Sequence, residues 1–213
     1  VGQKSVWYGP EVWLEPDDAA AMKAADTVTF VNWGNLKILS VAKDLVKAAL
    51  DLDNKDYKKT LKVTWLAAPK EAPLIPVVAT HFDHIISKPV LGKEENWEEH
   101  IAAQSKWAFH LSGEPAMASL KKGDIIQLQR KGYYIVDSPY VAKSEFSGQS
   151  LPLVLFDVPD GHNKTSGTAL SVPQQPTAAS TGSPAKVRKP KLKGRGEISE
   201  FGISCIIEKK DLS

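Results

Sequence analysis

The chain has 213 residues, 42% of them apolar, enough for one large domain or two small ones with ordinary cores. Its 27 basic and 25 acidic residues leave a net charge of +2, so bulk charge announces no nucleic-acid binder and only a local patch could act as one. The single cysteine, Cys205, excludes an internal disulfide framework and a multi-cysteine zinc site, and it fits a reducing compartment. No apolar run approaches the roughly 20 residues that a membrane helix needs. The N-terminus VGQKSVWYGPEVWLEP has neither an initiator Met nor a signal-peptide pattern, so the chain reads as a piece of something longer.

Short stretches rich in β-branched and aromatic residues predict strands over 11–15, 27–33, 36–41, 61–66, 75–82, 124–129, 133–137 and 151–158. Turn residues separate them at Gly9-Pro10, Gly34-Asn35, 51–54 and Ser138-Pro139, the rhythm of a barrel or sandwich. Pro76 and Pro152 mark strand starts, because proline cannot donate to a ladder. Two helices are expected: a short one over 16–26, and one over 96–109 with Trp97, Ile101 and Ala108 at helical spacing. Residues 42–52 fit a helix as well as a strand. After Gly161 the sequence HNKTSGTALSVPQQPTAASTGSPA has no aromatic residue and reads as a flexible linker. It leads to KVRKPKLKGR (186–195), with six basic residues and no acidic one, which could hold RNA loosely. The whole stretch 162–213 is expected to be disordered and dispensable for the fold, although its last residues could hold a short strand of unassigned place.

Two clusters point to chemistry. In KKGDIIQLQRKGYYIVD (121–137), Lys131-Gly132 suits a two-residue hairpin turn. That register sets Arg130 opposite Tyr133 and Gln127 opposite Val136. It places Ile126, Leu128 and Ile135 on one face, and Gln127, Gln129 and Tyr134 on the other. An ordinary solvated hairpin would explain this pattern. So would a rigid scaffold for reading unstacked RNA bases, since Gln donates and accepts while Arg offers a planar fork. In NKDYKKTLKVTW (54–65), Lys55, Lys58, Lys59 and Lys62 lie among Tyr57 and Trp65. They could track a phosphate backbone or simply protect an edge strand. His81, Asp83 and His84 suggest a metal, but alternate strand residues face opposite ways and no second cluster completes a site, so a structural role is expected. Glu94-Glu95 and Glu98-Glu99 read as a solvated face. The chain has no Gly-rich phosphate loop, G-x-S-x-G or H-E-x-x-H.

Taken together, VTWLAAPKEAPLIPV, FDHIISKPVLGKEENWEEHI, LKKGDIIQLQRKGYYIVD and VPDGH resemble the C-terminal anticodon-binding region of eukaryotic glutamyl-tRNA synthetases. The likeness is greatest to the glutamyl half of the animal bifunctional glutamyl-prolyl enzymes and runs from about 1 to 162. It implies an all-β fold of two consecutive β-barrels over 1–161, the proximal one built from 1–58 plus 123–161 and the distal one from 59–122. It implies a cytoplasmic ligase whose partner is tRNA(Glu), with no membrane role. Gln127 and Arg130 match hairpin positions that contact the middle anticodon base in glutaminyl relatives, and Lys131 adjoins them. Lys58, Lys59 and Lys62 match basic residues before the V-x-W strand. The arginine that reads the first base in those relatives has no counterpart in VTFVN (28–32), which leaves Asn32 and Thr29 as candidates. No catalytic residue, metal or cofactor is expected in this stretch. The resemblance places the ATP- and Mg-binding motifs upstream, and ISKPVLGK is not one of them. The alternative function is a protein-interaction module that binds other aminoacyl-tRNA synthetases of a multi-enzyme complex.

Overall fold

Residues that alternate in sequence alternate in burial, and this builds two cores. The computed structural model describes residues 4–67, 70–71, 73–159 and 203–208. The first sheet holds β1 (Glu11–Leu14), β2 (Thr27–Phe30), β3 (Gly34–Val41), β4 (Leu45–Leu50), β5 (Leu61–Val63), β6 (Trp65–Ala67) and β12 (Ile203–Glu208), in the order β5-β2-β3-β4-β12-β1-β6. Its two edge strands are separated in the chain by Thr64 alone, so the sheet curls until its margins meet and is nearly a closed barrel. Such closure removes the exposed edge that would otherwise template aggregation. Val12, Leu14, Phe30, Leu36, Ile38, Val46 and Val63 fill it. One helix, α1 (Pro16–Ala21), joins β1 to β2; Pro16 at its start and Asp17 and Asp18 in its first turn suit a helix N-terminus.

The second sheet holds β7 (Ile75–Phe82), β8 (Lys106–Gly113), β9 (Ile125–Leu128), β10 (Gly132–Ser138) and β11 (Leu153–Val158), in the order β8-β7-β11-β10-β9. Val77, Ala79, Tyr134, Val136, Leu153 and Leu155 form its core, with Met117 from a short 3-10 turn.

The all-β expectation holds, and several local expectations do not. The helix expected over 96–109 is a single 3-10 turn, Trp97–His100, followed by β8, which pairs with β7 along its whole length. Trp97 and Ile101 are both exposed, so the helical spacing had no apolar face to bury, and strand pairing prevailed. Residues 42–52 contain β4, with Val46 and Ala48 buried at period two. The partition expected from the resemblance also differs. Strands β9, β10 and β11 pair with one another and with β7, whereas β5 and β6 close the first sheet. Finally, β12 lies inside the stretch expected to be disordered. It is parallel to β4 and antiparallel to β1, and Ile207 is buried. The linker and the basic run 186–195 lie outside the described residues.

Candidate nucleic-acid interface

The 121–137 hairpin is built differently from the two-residue expectation. Gly132 pairs with Leu128, Tyr133 with Gln127 and Tyr134 with Ile126, leaving a three-residue turn of Gln129, Arg130 and Lys131. Lys131 N donates to Leu128 O at 2.9 Å, Arg130 has a φ of 65°, and Gly132 has a φ of 108° that only glycine adopts without strain. The change in register reverses the face of every β10 side chain relative to β9. Tyr134 and Val136 turn into the core, and Gln127 shares the exposed face with Tyr133.

This turn separates its polar side chains into two kinds. Arg130 donates from Nη1 to Asp18 Oδ2 at 2.5 Å and from Nη2 to Asp18 Oδ1 at 2.8 Å, a bidentate fork onto α1. Hydrogen bonding to that carboxylate is the largest cause raising the guanidinium above its ordinary pKa, with burial opposing it. Lys131 Nζ donates to Glu15 Oε2 at 3.0 Å. Gln127 and Gln129, by contrast, are exposed and make no side-chain hydrogen bond among the described residues. Among the described residues, Gln129 is therefore the one side chain of the three-residue turn left without a partner.

Gln129 lines a groove across the seam of the two sheets. Val31, Asn32, Trp65 and Leu66 from the first sheet and its β2–β3 turn also line it, with Lys4, Trp7, Glu114 and Pro115. Asn32 is exposed with a φ of 63°, a conformation asparagine tolerates better than most residues. Tyr8 Oη donates to its carbonyl at 3.1 Å, so the backbone is held while the side-chain amide is free among the described residues. Beneath it Tyr8, Trp33 and Trp65 form a ring cluster with centroids 4.6 to 5.4 Å apart. Trp65 Nε1 donates to Val31 O at 2.9 Å. Trp7 is 42% exposed at the groove wall and offers a stacking surface.

The lysine segment is tethered from below. Asn35, fully buried, donates from Nδ2 to Asn54 O at 3.0 Å and to Asp56 O at 3.1 Å. Thr29 Oγ1 donates to Asn35 Oδ1 at 2.6 Å and lies 2.5 Å from Thr60 Oγ1. Thr29 is thus a buried brace for the loop, which corrects its candidacy as a base reader. Above this brace Lys55, Lys58, Lys59 and Lys62 are exposed, and their chain runs through β5 into the groove wall at Trp65. Lys62 Nζ donates to Thr60 O at 2.7 Å, while the Lys58 and Lys59 ammonium groups have no partner among the described residues.

His81 Nδ1 lies 2.8 Å from Asp157 Oδ2, and Asp83 Oδ1 accepts from the His84 amide at 2.7 Å. His81 is thus engaged apart from Asp83 and His84, and among the described residues no group of three could hold a metal ion. Reading the sequence singled out Gln129 without naming it a site residue, and it missed Trp7, Glu15 and Asp18. A second amide two residues after Gln127 was the only local signal, for Gln129; the carboxylates carry none, because Asp18 and Arg130 are 112 positions apart.

Residues 62–137 match the family described as tRNA synthetases class I (E and Q), anti-codon binding domain. The chain is 43% identical over 195 residues to the bifunctional glutamate/proline--tRNA ligase of Cricetulus griseus, covering 87% of this chain and 13% of that protein. It is 40% identical over 212 residues to the Drosophila melanogaster protein of the same name, covering 95% of this chain and 12% of that protein. It is 36% identical over 168 residues to the probable cytoplasmic glutamate--tRNA ligase of Schizosaccharomyces pombe, covering 76% of this chain and 22% of that protein. The chain therefore spans between 12% and 22% of the length of these relatives. It carries the anticodon-binding domain of the class I tRNA synthetases for glutamate and glutamine, and it is homologous to the cytoplasmic glutamate--tRNA ligases.

Proposed function

We propose that the chain is the anticodon-reading part of a glutamate--tRNA ligase. The observation that carries this reading is the seam groove, which Asn32 and Gln129, whose amides have no partner among the described residues, line together with exposed Trp7. Unstacked bases are recognised by such a combination of aromatic plates and donor–acceptor amides. The lysine segment leading into the groove would hold the phosphates and supply affinity without sequence information. Bond-making belongs elsewhere in the enzyme. The ATP-binding motifs of the class are absent from these 213 residues, so amino-acid-dependent pyrophosphate exchange by this chain alone should stay at background.

Filter binding with transcribed glutamate tRNA tests the reading. Binding should weaken steeply with added salt, and changing the middle anticodon base should weaken it further by a factor of 5 to 100, that is about 1–3 kcal/mol. Equal binding of both transcripts would sink the proposal. The protein-docking alternative has a surface of its own, the arm between β7 and β8, where Ile85, Val90, Trp97 and Ile101 are exposed. A chain indifferent to tRNA that joins a purified partner synthetase through that arm would favour that alternative.

A further inference from the structure

Two consecutive residues of a turn in the second sheet reach two carboxylates at the start of one short helix beside the first. Arg130 forks onto Asp18 at 2.5 and 2.8 Å, and Lys131 reaches Glu15 at 3.0 Å. Asp18 is 5% exposed, so its carboxylate has lost most of its water and depends on the guanidinium for compensation. Glu15 is also tied to its own barrel: its other oxygen accepts from Thr64 Oγ1 at 3.2 Å, the residue that joins β5 to β6. The clamp is therefore anchored where the first sheet closes.

The seam groove crosses beside this clamp. Gln129, which lines it, is the chain neighbour of Arg130; Asn32, which lines it too, has its carbonyl held by Tyr8. The chain passes from the first sheet to the second between Ala67 and Leu74, and Lys4 pairs with Glu114, all four among the lining residues; the clamp adds the side-chain contacts that seat the turn carrying Gln129 on α1. A base edge is read only if both amides meet it at hydrogen-bond distance, whereas flexible lysines tolerate displacement.

We infer that Asp18 and Glu15 are positioning residues: through Arg130 and Lys131 they set the spacing of Asn32 and Gln129, and with it the discrimination between anticodon bases. Arg130 and Lys131 then serve recognition as struts of the groove. This rests on the tRNA-binding reading above, and the test separates the two.

Asp18→Asn and Glu15→Gln, singly and together, are made in the full chain and read in two ways. Without RNA, spin labels at Lys37→Cys in β3 and Ala108→Cys in β8, in a Cys205→Ser background, report the spacing of the sheets. The parent should give one narrow distance distribution and the double variant a visibly broader one. An unchanged distribution overturns the inference. With RNA, the ratio of affinities for glutamate tRNA and its middle-base variant should fall at least fivefold in the double variant, while the salt dependence of binding stays the same. Arg130→Lys, which keeps the charge and loses the fork, should fall between parent and Asp18→Asn. An unchanged ratio overturns the inference, and so does a uniform loss of affinity with the ratio kept, the mark of a merely structural role. A parent that binds no tRNA sinks the functional reading alone, and the label distances still decide whether the clamp sets the spacing. Should Asp18→Asn fail to fold, Lys131→Gln with Glu15→Gln opens the half of the clamp whose carboxylate is less buried, under the same two readouts.

Discussion

Neighbouring side chains in the 129–131 turn have opposite fates, and burial of a distant partner separates them. Arg130 is committed to Asp18 and Lys131 to Glu15, whereas Gln129 between them and the groove is free among the described residues. Sequence reading selected Gln127 and Arg130 because they match hairpin positions of the glutaminyl relatives, and Lys131 as their neighbour. It could not divide them, since nothing local to residue 130 reveals a carboxylate at residue 18. Tyr134 shows the same dependence. Burial first, and Asp157 second, push its hydroxyl up to about 12, and Oη donates to Lys131 O at 3.3 Å. A phenol whose folded pKa lies above its unfolded value of about 10 stabilises the fold fully below pH 10 and loses that contribution as pH rises towards 12. The parent should therefore lose on the order of 2 kcal/mol more unfolding free energy than Tyr134→Phe between pH 9 and 12. Urea titrations of both proteins at unit pH steps check this, and parallel curves would refute it.

Elements were legible where period and composition agreed, as in β7, whose bounds 75–82 match the expectation. The β8 strand, Lys106–Gly113, was missed although Trp107, Phe109 and Leu111 alternate with more exposed neighbours, because Ala108 was grouped with Trp97 and Ile101 at helical spacing; pairing with β7 decides the outcome. The hairpin was recognised, but its turn was taken one residue too short, which is enough to exchange the faces of Tyr134 and Tyr133. The β12 strand tests the element scale directly. It lies between β4 and β1 and buries Ile207, so without it the first sheet loses two ladders at once. A chain ending at Gly161 should unfold roughly 5–10 °C lower, the shift expected for a loss of about 2–3 kcal/mol at this size. The expectation from composition was no change, and a thermal scan agreeing with that expectation would show that β12 does not hold the barrel closed.

At the scale of the whole molecule, the proposed function assigns affinity and discrimination to different surfaces. The lysine loop sits on the first sheet, braced by Asn35 and Thr29, and Asn32 and Gln129 line one groove at the seam. Lys58→Ala with Lys59→Ala should therefore weaken binding to all tRNAs alike and reduce the salt slope by about 2, because phosphate contacts carry no sequence information. Gln127→Ala with Gln129→Ala should leave that slope unchanged and cost about 1–3 kcal/mol for the glutamate transcript alone. Competition binding with a panel of transcripts separates the two; a glutamate-selective loss from the lysine pair would contradict the division.

The sequence by itself determined the all-β class, most strands of both sheets, the lysine segment and the kinship to the glutamyl enzymes. These rest on signals within a few residues of one another: alternation, turn chemistry and motif order. The tertiary structure alone decided which strands share a sheet, that β12 completes the barrel, and that Arg130 is held by Asp18 rather than left free. The physical reason is range. A side chain's tendency to lie in a strand is set by its chain neighbours, but its partner across a seam is set by packing over more than a hundred residues, where loop closure leaves many pairings open and only core complementarity and desolvated charge choose among them.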